Sequence, residues 1–188
     1  MKFAVFTFNG IEPCEMISAV DILRRAKVDV DMISLTNAIM INGAHGFTFR
    51  ADITWEDFNG NDYDAFVVPG GPGTFSVVAE HEILHEELKR AKERGVWICA
   101  VCAAPMILAR CGLLDNLSCT SWPGVEDEII SAADNVTYKT DNVVVEIEAK
   151  IITSRALGTS VEWALEMVRH IVSAEVSDNI RDSVCFTY

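Results

Sequence analysis

The sequence has little positive charge. Of its 188 residues, 15 are Lys or Arg and 28 are Asp or Glu, which gives a formal net charge of −13 at pH 7. A chain with this balance is repelled by the phosphates of nucleic acids and by anionic lipid headgroups. We therefore expect neither a nucleic-acid partner nor binding to membrane surfaces.

Long apolar runs and targeting signals are also missing. No run of apolar residues approaches the length needed to span a bilayer. The apolar stretch over residues 3–8 is too short for the core of a secretory signal, and no cleavage site follows it. The six cysteines show no spacing typical of a disulfide framework. We expect a cytoplasmic protein with reduced thiols and no membrane segment.

Internal repeats, low-complexity segments and linkers are absent as well, so residues 1–188 are expected to form one domain. Half of the residues are hydrophobic, which is enough for a substantial core. Segments typical of buried strands alternate with segments typical of amphipathic helices. This order predicts an α/β fold in which a mainly parallel sheet has helices on both faces. Ligands of such sheets bind at the carboxyl ends of the strands.

The same patterns predict where several elements begin and end. Helices are predicted over residues 13–26, 77–93 and 159–172. Two hairpins, over residues 39–49 and 137–146, are predicted as excursions from the alternation of strands and helices.

Near the middle of the chain, a buried strand runs directly into a helix. Residues 96–101 are uninterruptedly apolar, and residues 103–110 favour a helix, with Pro105 in its first turn. Cys102 lies between them, where a tight strand-to-helix turn would lift its side chain out of the sheet, as in a nucleophile elbow. The helix N-terminus would then stabilise a thiolate. The alternative is a buried structural cysteine that ends a strand.

A glycine-rich loop follows another predicted strand, over residues 64–69. Gly70, Gly71 and Gly73 would let backbone N–H groups approach an anion beside Cys102. A plain tight turn is the alternative. The spacing of the glycines matches neither the dinucleotide-binding fingerprint nor the P-loop.

Glu15 follows the first predicted strand and is expected near the edge of the sheet from which Cys102 emerges. A buried carboxyl group there would stay protonated and donate a hydrogen bond to a thiolate or to an oxidised sulfur. Glu15 could instead be an ordinary acid in the first turn of a helix. His45, in the loop of the first predicted hairpin, could reach the same pocket.

His81 and His85 flank Glu82 with the spacing of a zinc-protease motif. The surrounding helix is highly charged, and both histidines are predicted on its polar side. No third ligand follows at the spacing of the metzincins. We expect a solvated helix face here and no metal site.

Five segments of the chain, residues 10–15, 20–26, 67–71, 98–105 and 153–160, carry motifs in a specific order and spacing. Together they resemble the ThiJ/PfpI superfamily over nearly the whole chain. The resemblance is greatest to the branch that contains the Parkinson-disease-linked deglycase and the bacterial ThiJ-like proteins. It implies a flavodoxin-like three-layer sandwich and a homodimer.

This resemblance also implies a reactive thiol at Cys102, a partnering acid at Glu15, and a backbone oxyanion site at Gly71 and Ala103. The activity it implies is cofactor-free glyoxalase or deglycase chemistry on small α-oxoaldehydes or their adducts. The alternative is a non-enzymatic stress sensor or chaperone-like protein whose Cys102 is oxidised to a sulfinate. The expected partner is thus a small carbonyl compound or an oxidant. A small-ligand binding protein in which Cys102 is incidental is the third possibility.

Two positions depart from the pattern of the family. Trp122 precedes a proline where this branch has a histidine, so an imidazole that could shuttle protons is missing. Ala103 follows Cys102 where proteolytic relatives have a histidine, which disfavours a protease. His45, Trp122 and Gly70 are expected around the pocket, and there His45 could replace the missing imidazole.

Overall fold

The computed structural model describes residues 1–187, apart from the side chains at positions 78 and 79. Its strands are β1 (Lys2–Thr7), β2 (Asp29–Ser34), β3 (Met40–Asn42), β4 (Thr48–Arg50), β5 (Ile53–Thr54), β6 (Ala65–Val68), β7 (Trp97–Val101), β8 (Ser118–Cys119), β9 (Thr137–Tyr138), β10 (Val143–Glu146) and β11 (Ile151–Ser154). Its α-helices are α1 (Pro13–Arg25), α2 (Thr74–Glu80), α3 (Glu82–Glu93), α4 (Pro105–Arg110), α5 (Glu126–Ala132), α6 (Ser160–Met167) and α7 (Ala174–Ser183). Within this range, no helix has the length and apolar character needed to cross a bilayer.

Seven strands form one sheet in the order β10-β11-β7-β6-β1-β2-β5. Neighbouring strands are parallel except for β10, which runs antiparallel to β11. Helices α1 and α6 pack against each other in one layer, whereas α4 contacts α3 and α5 in another. The predicted α/β architecture, with a mainly parallel sheet between helices, is confirmed.

The central strands β6 and β7 are apolar along their whole length, as is typical of strands that are covered on both faces. Every residue of β6 is buried, and so is every residue of β7 after Trp97. Phe6 of β1 meets Phe66 of β6 edge-on, with ring centroids 5.2 Å apart. Each large apolar side chain buried in this way stabilises the fold by roughly 1.5–3 kcal/mol. The strands therefore form a firm platform for the loops at their carboxyl ends.

The order of the strands creates a crevice beside β1. The chain places β2 on one side of β1 and β6 on the other, so the loops that leave β1 and β6 diverge. Strand β7 lies next to β6 and ends at the same edge. The residues that follow these three strands, which include Gly70 and Cys102, therefore surround one crevice.

The helix predicted over residues 77–93 is in fact two helices, α2 and α3. They are separated at His81, whose backbone is not helical, with φ of −104° and ψ of 60°. The Nε2 atom of His81 lies 2.8 Å from the carbonyl oxygen of Leu35. Neither proline nor glycine accompanies this break, so the sequence pattern contains no sign of it.

The two predicted hairpins have different outcomes. β3 and β4 pair antiparallel outside the main sheet, as predicted for residues 39–49. The pairing predicted within residues 137–146 is wrong, because β9 pairs in parallel with β8 and β10 joins the edge of the main sheet. The helix predicted over residues 159–172 is α-helical to Met167 and continues as a π-helical segment over Val168–Val172.

Candidate functional site

Cys102 occupies the strand-to-helix turn that the sequence predicts between β7 and α4. Its φ of 63° lies in the left-handed region, which costs a residue other than glycine about 1–2 kcal/mol. Its N–H donates to the carbonyl oxygen of Ser154 at 3.1 Å, and its carbonyl accepts from the N–H of Trp122 at 2.9 Å. These two hydrogen bonds hold the strained turn in place.

The Cys102 sulfur receives hydrogen bonds from the backbone N–H groups of Gly71 and Ala103. Gly71 has a φ of 115°, a conformation that side chains rarely permit. A Cβ atom at this position would also lie 2.5 Å from the carbonyl oxygen of Gly10. Only glycine therefore fits at the point that presents this N–H group to the sulfur.

Glu15, in the first turn of α1, is buried and only 1% exposed. Its Oε2 accepts a hydrogen bond from the N–H of Gly70 at 2.8 Å, and its carboxylate also accepts from the N–H of Leu157 and from the Cys102 thiol. Gly70 is packed tightly against this pair, since a Cβ there would lie 2.6 Å from the Cβ of Cys102. The absence of a side chain at Gly70 thus lets its backbone lie directly against Cys102 and Glu15.

Burial has a strong effect on both groups. It raises the pKa of the Glu15 carboxyl from 4.5 to about 7, although the hydrogen bonds from Gly70 and Cys102 act in the opposite direction. Burial and the adjacent carboxylate raise the pKa of the Cys102 thiol to about 12, while the N–H groups of Ala103 and Gly71 lower it. The helix end that was expected to stabilise a thiolate acts in that direction, but burial outweighs it.

The Cys102 thiol and the Glu15 carboxyl titrate as a pair because they share a hydrogen bond. The pair loses its first proton near pH 7, and the second proton leaves only at far higher pH. In between, the negative charge lies on Glu15, whose pKa is the lower of the two, and the Cys102 thiol donates its proton to that carboxylate. Transfer of the shared proton from sulfur to Glu15 produces a thiolate next to a neutral acid.

The pair opens on a cavity of about 380 Å³ in the crevice beside β1. Its wall consists of Glu12, Glu15, Gly71, Pro72, Phe75, Cys102, Ala103, Trp122, Ala156 and Leu157. None of these residues is Lys, Arg or His. The cavity therefore has a mostly apolar surface and no fixed positive charge to attract an anionic ligand.

The residues predicted around the pocket fall into two groups. Trp122, Gly71 and Ala103 line the cavity together with Cys102 and Glu15. His45 and Gly70 do not line it. The side chain of His45 is 72% exposed, and its Nε2 atom lies 3.4 Å from Oε2 of Glu12, which does line the cavity.

Sequence reasoning missed Glu12, Phe75 and Leu157 as parts of the wall. Glu12 precedes the first residue of α1, and its Oε1 accepts from the N–H of Cys14 at 3.3 Å. An acid directly before a proline at a helix start was a signal for this capping role. Phe75 lies outside the motif segments, whereas Leu157 lies within the segment over residues 153–160 but had no role assigned to it, and only the fold brings both to the cavity.

The prediction of a solvated face for His81 and His85 is wrong. Both side chains are half-buried, and Nδ1 of His81 and Nε2 of His85 are buried atoms without a hydrogen-bond partner. Burial lowers the pKa of His85. Across residues 1–187, no group of three or more His, Cys, Asp or Glu side chains is arranged to hold a metal ion.

Known proteins are similar to this chain over nearly its whole length. The DJ-1/PfpI family profile matches residues 1–170. Protein dj-1beta of Drosophila melanogaster is 28% identical over 179 residues, which cover 95% of this chain and 94% of that protein. The Parkinson disease protein 7 homolog of Danio rerio is 30% identical over 178 residues, or 94% and 93% of the two chains. Deglycase PfpI of Pyrococcus furiosus is 28% identical over 169 residues, or 90% and 98%.

Solved structures extend the similarity to the fold. The crystal structure of Drosophila melanogaster DJ-1beta superposes with a TM-score of 0.90 at 26% identity, and the match covers 100% of this chain and 98% of that one. Oxidized Toxoplasma gondii DJ-1 gives the same TM-score and identity, with 100% and 99% covered. The expected flavodoxin-like three-layer sandwich is therefore confirmed.

Proposed function

This chain belongs to the DJ-1/PfpI family, and on that basis we propose that it is a cysteine-dependent, cofactor-free enzyme acting on small α-oxoaldehydes or their adducts. The resemblance predicted from the motifs is thereby confirmed at the level of the family. The observation that carries the proposal is the hydrogen-bonded pair of Cys102 and Glu15 on the wall of a cavity. The name deglycase, given to the Pyrococcus furiosus relative, supports the same class of chemistry.

The reaction begins from the state with a thiolate on Cys102 and a proton on Glu15. The sulfur attacks the aldehyde carbon, a C–S bond forms, and the π electrons of the carbonyl move onto its oxygen. The N–H groups of Gly71 and Ala103, which already point at the sulfur, stabilise the developing oxyanion. Glu15 then protonates that oxygen and leaves a hemithioacetal.

Glu15 is now a carboxylate and can act as a base. It removes the proton from the carbon bound to sulfur, the electron pair shifts onto the oxygen of the neighbouring carbonyl, and Glu15 returns the proton to that oxygen, giving an enediol. Glu15 then takes the hydroxyl proton from the sulfur-bearing carbon and delivers it to the neighbouring carbon, which produces the thioester of a 2-hydroxy acid. Water hydrolyses the thioester, which releases the acid and restores the Cys102 thiol. One carbon of the substrate is oxidised and its neighbour is reduced, so water is the only co-reactant.

Because the imidazole is missing, Glu15 has to carry out every proton transfer of the proposed reaction. No histidine lines the cavity, and Trp122 stands where the resemblance led us to expect one. A pKa of about 7 suits a group that must both donate and accept protons near neutral pH. The carboxyl of Glu15 therefore has the properties that both roles require.

The absence of an imidazole from the wall also favours a second candidate, a sensor of oxidants. Peroxide would convert the Cys102 thiolate first to a sulfenic acid and then to a sulfinate, and each step would release water. The N–H groups of Gly71 and Ala103 and a protonated Glu15 would donate hydrogen bonds to the new oxygens. In this role Cys102 needs no substrate cavity and no second base.

The test of the enzyme proposal measures the loss of methylglyoxal and the appearance of its 2-hydroxy acid. We expect the wild type to form the product and Cys102→Ser to be at least about 100-fold slower, because the nucleophile is lost. The exposed Cys185, which lies outside the cavity wall, provides the matched control Cys185→Ser with wild-type rates. Product formation that is absent from the wild type, or equal in wild type and Cys102→Ser, would overturn the proposal.

A further inference from the structure

Three large apolar residues of the cavity wall have no part in the proposed chemistry. They are Phe75, Trp122 and Leu157, which are 47%, 44% and 50% exposed. Large apolar side chains that line a cavity and remain in contact with solvent are typical of a surface that binds apolar groups. These three residues lie on the wall that also carries the reacting sulfur.

Contacts within the loop that follows β8 fix the position of the Trp122 ring. Its backbone N–H donates to the carbonyl of Cys102 at 2.9 Å, which ties the tryptophan to the strand-to-helix turn. The indole lies over Gly124, where a Cβ atom would be 2.5 Å from Cη2 of the ring. Gly124 does not need glycine for its φ angle, so the missing side chain serves to make room for the indole.

The charged groups of the cavity wall determine which substituents of a substrate can bind there. Its ionisable groups are Glu12, Glu15 and Cys102, and no cation lies among them. A carboxylate on the substrate would therefore be repelled. Glu12 already has partners in His45, at 3.4 Å, and in the N–H of Cys14, at 3.3 Å, so it is not free to pair with a cationic substituent.

We propose that Trp122, Phe75 and Leu157 form a subsite for an uncharged aryl or bulky alkyl group attached to the ketone carbon of the substrate. The preferred substrate class is then an α-oxoaldehyde larger than methylglyoxal, such as an arylglyoxal. The aldehyde part of this inference rests on the proposed function, whereas the apolar subsite rests on the wall alone. The volume of about 380 Å³ falls in the range of roughly 300–1,000 Å³ that is typical of sites for larger organic ligands.

The kinetic test compares kcat/KM for phenylglyoxal with kcat/KM for methylglyoxal in each variant. We expect the ratio of the two constants to fall about tenfold in Trp122→Ala, because aromatic stacking and buried apolar area are lost. Gly124→Ala should lower the ratio at least about threefold by displacing the indole, without altering any residue of the wall. Phe47→Ala removes an aromatic ring of similar exposure outside the wall and should leave the ratio unchanged. An unchanged ratio in both Trp122→Ala and Gly124→Ala would overturn the subsite.

A binding test needs no turnover. We expect 4-fluoroacetophenone, an aryl ketone without an aldehyde, to bind Cys102→Ser in fluorine NMR titrations. Adding Trp122→Ala should weaken this binding at least fivefold, and adding Phe47→Ala should not change it. Binding that is absent, or indifferent to Trp122→Ala, would overturn the subsite. Tighter binding of 4-fluorobenzoate or 4-fluorobenzylamine would overturn the preference for an uncharged group.

The two measurements separate the subsite from the proposed enzyme activity. If neither glyoxal is converted but the aryl ketone binds in a manner that depends on Trp122, the subsite stands and the enzyme proposal fails. If methylglyoxal is converted through Cys102 and the aryl ketone does not bind, the enzyme proposal stands and the subsite fails.

Discussion

The thiol of Cys102 donates a hydrogen bond to the carboxylate of Glu15, and the two groups hold one proton between them near neutral pH. This relationship makes the reactivity of the sulfur depend on a carboxyl group from α1, a segment that is distant from Cys102 in the sequence. Transfer of the Cys102 proton to Glu15 along this hydrogen bond converts the unreactive thiol into a thiolate, which the neutral acid then stabilises. The pair is therefore the natural target for experiments on this protein.

The pH dependence of Cys102 alkylation tests whether the pair titrates as a unit. In the wild type, the rate with iodoacetamide should rise with an apparent pKa near 7, because burial raises the pKa of Glu15 to that range and the first shared proton leaves there. In Glu15→Gln, the carboxylate that raises the pKa of the Cys102 thiol is gone, so the rate should not level off near pH 7 but should continue to rise with pH. We expect a rate at least about threefold higher than in the wild type near pH 8.5.

Peptide-level mass spectrometry would follow each cysteine separately, and the exposed Cys185 of the same molecules would serve as the internal control. An unchanged midpoint in Glu15→Gln would show that Cys102 titrates independently of Glu15.

The free energy of unfolding should also depend on pH through Glu15. Its pKa is raised from 4.5 to about 7 in the folded chain, so the folded state binds this proton more tightly than the unfolded state does. The resulting stabilisation is complete below about pH 4.5 and is lost as the pH rises through about 7. At about 1.4 kcal/mol per pKa unit, the wild type should lose roughly 3 kcal/mol across this window relative to Glu15→Gln.

Urea denaturation at about pH 4.5 and about pH 8 would measure this difference. Glu56→Gln, which changes an exposed acid outside the cavity wall, is the matched control and should follow the wild type. Parallel pH profiles for wild type and Glu15→Gln would contradict the raised pKa.

Much of the site could be predicted because its residues carry local signals. Cys102 lies where an apolar strand meets a helix, Gly71 lies in a glycine-rich loop, and Glu15 follows the first strand. The carboxyl ends of parallel strands meet at one edge of a sheet, so these three positions converge. The apolar wall could not be predicted, since Phe75 and Leu157 contribute only through tertiary packing.

The wrong predictions of secondary structure and strand pairing have the same origin, which is contact between distant segments of the chain. The break between α2 and α3 lies at His81, whose ring is hydrogen-bonded to the carbonyl of Leu35 on a distant segment. The parallel pairing of β8 with β9 replaces a local hairpin that the turn residues alone favoured. Patterns within a short window predict elements well, but they do not show which distant partner an element will choose.

Substitution of Gly70 tests how tightly the pair is packed. A Cβ atom at this position would lie 2.6 Å from the Cβ of Cys102 and 3.0 Å from Oε2 of Glu15. Gly70→Ala should therefore destabilise the fold by about 1–3 kcal/mol and slow Cys102 alkylation at least tenfold. Gly158→Ala is the matched control, because nothing lies within 4 Å of a Cβ there, and its stability should stay within about 0.5 kcal/mol of the wild type. Equal alkylation rates in the two variants would show that close packing at Gly70 is unimportant.

Mild peroxide treatment tests the oxidant-sensor candidate. In the wild type, Cys102 should gain two oxygens before any other cysteine does, since transfer of its proton to Glu15 supplies the thiolate and its surroundings can bind the new oxygens. In Glu15→Gln, the exposed Cys14 and Cys185 should be modified first. Intact-protein and peptide masses would follow the order of oxidation. Earlier oxidation of another cysteine in the wild type would rule out the sensor.

The contacts that hold Cys102 have a consequence for the order of folding. The N–H of Cys102 donates to the carbonyl of Ser154 on β11, and the N–H of Leu157 donates to Glu15, so both partners come from a segment that follows Cys102 far along the sequence. Before β11 pairs with β7, Cys102 is an ordinary thiol and Glu15 an ordinary carboxylate. The special reactivity of the sulfur thus arises only when β11 has docked, and it marks a molecule whose central sheet is assembled.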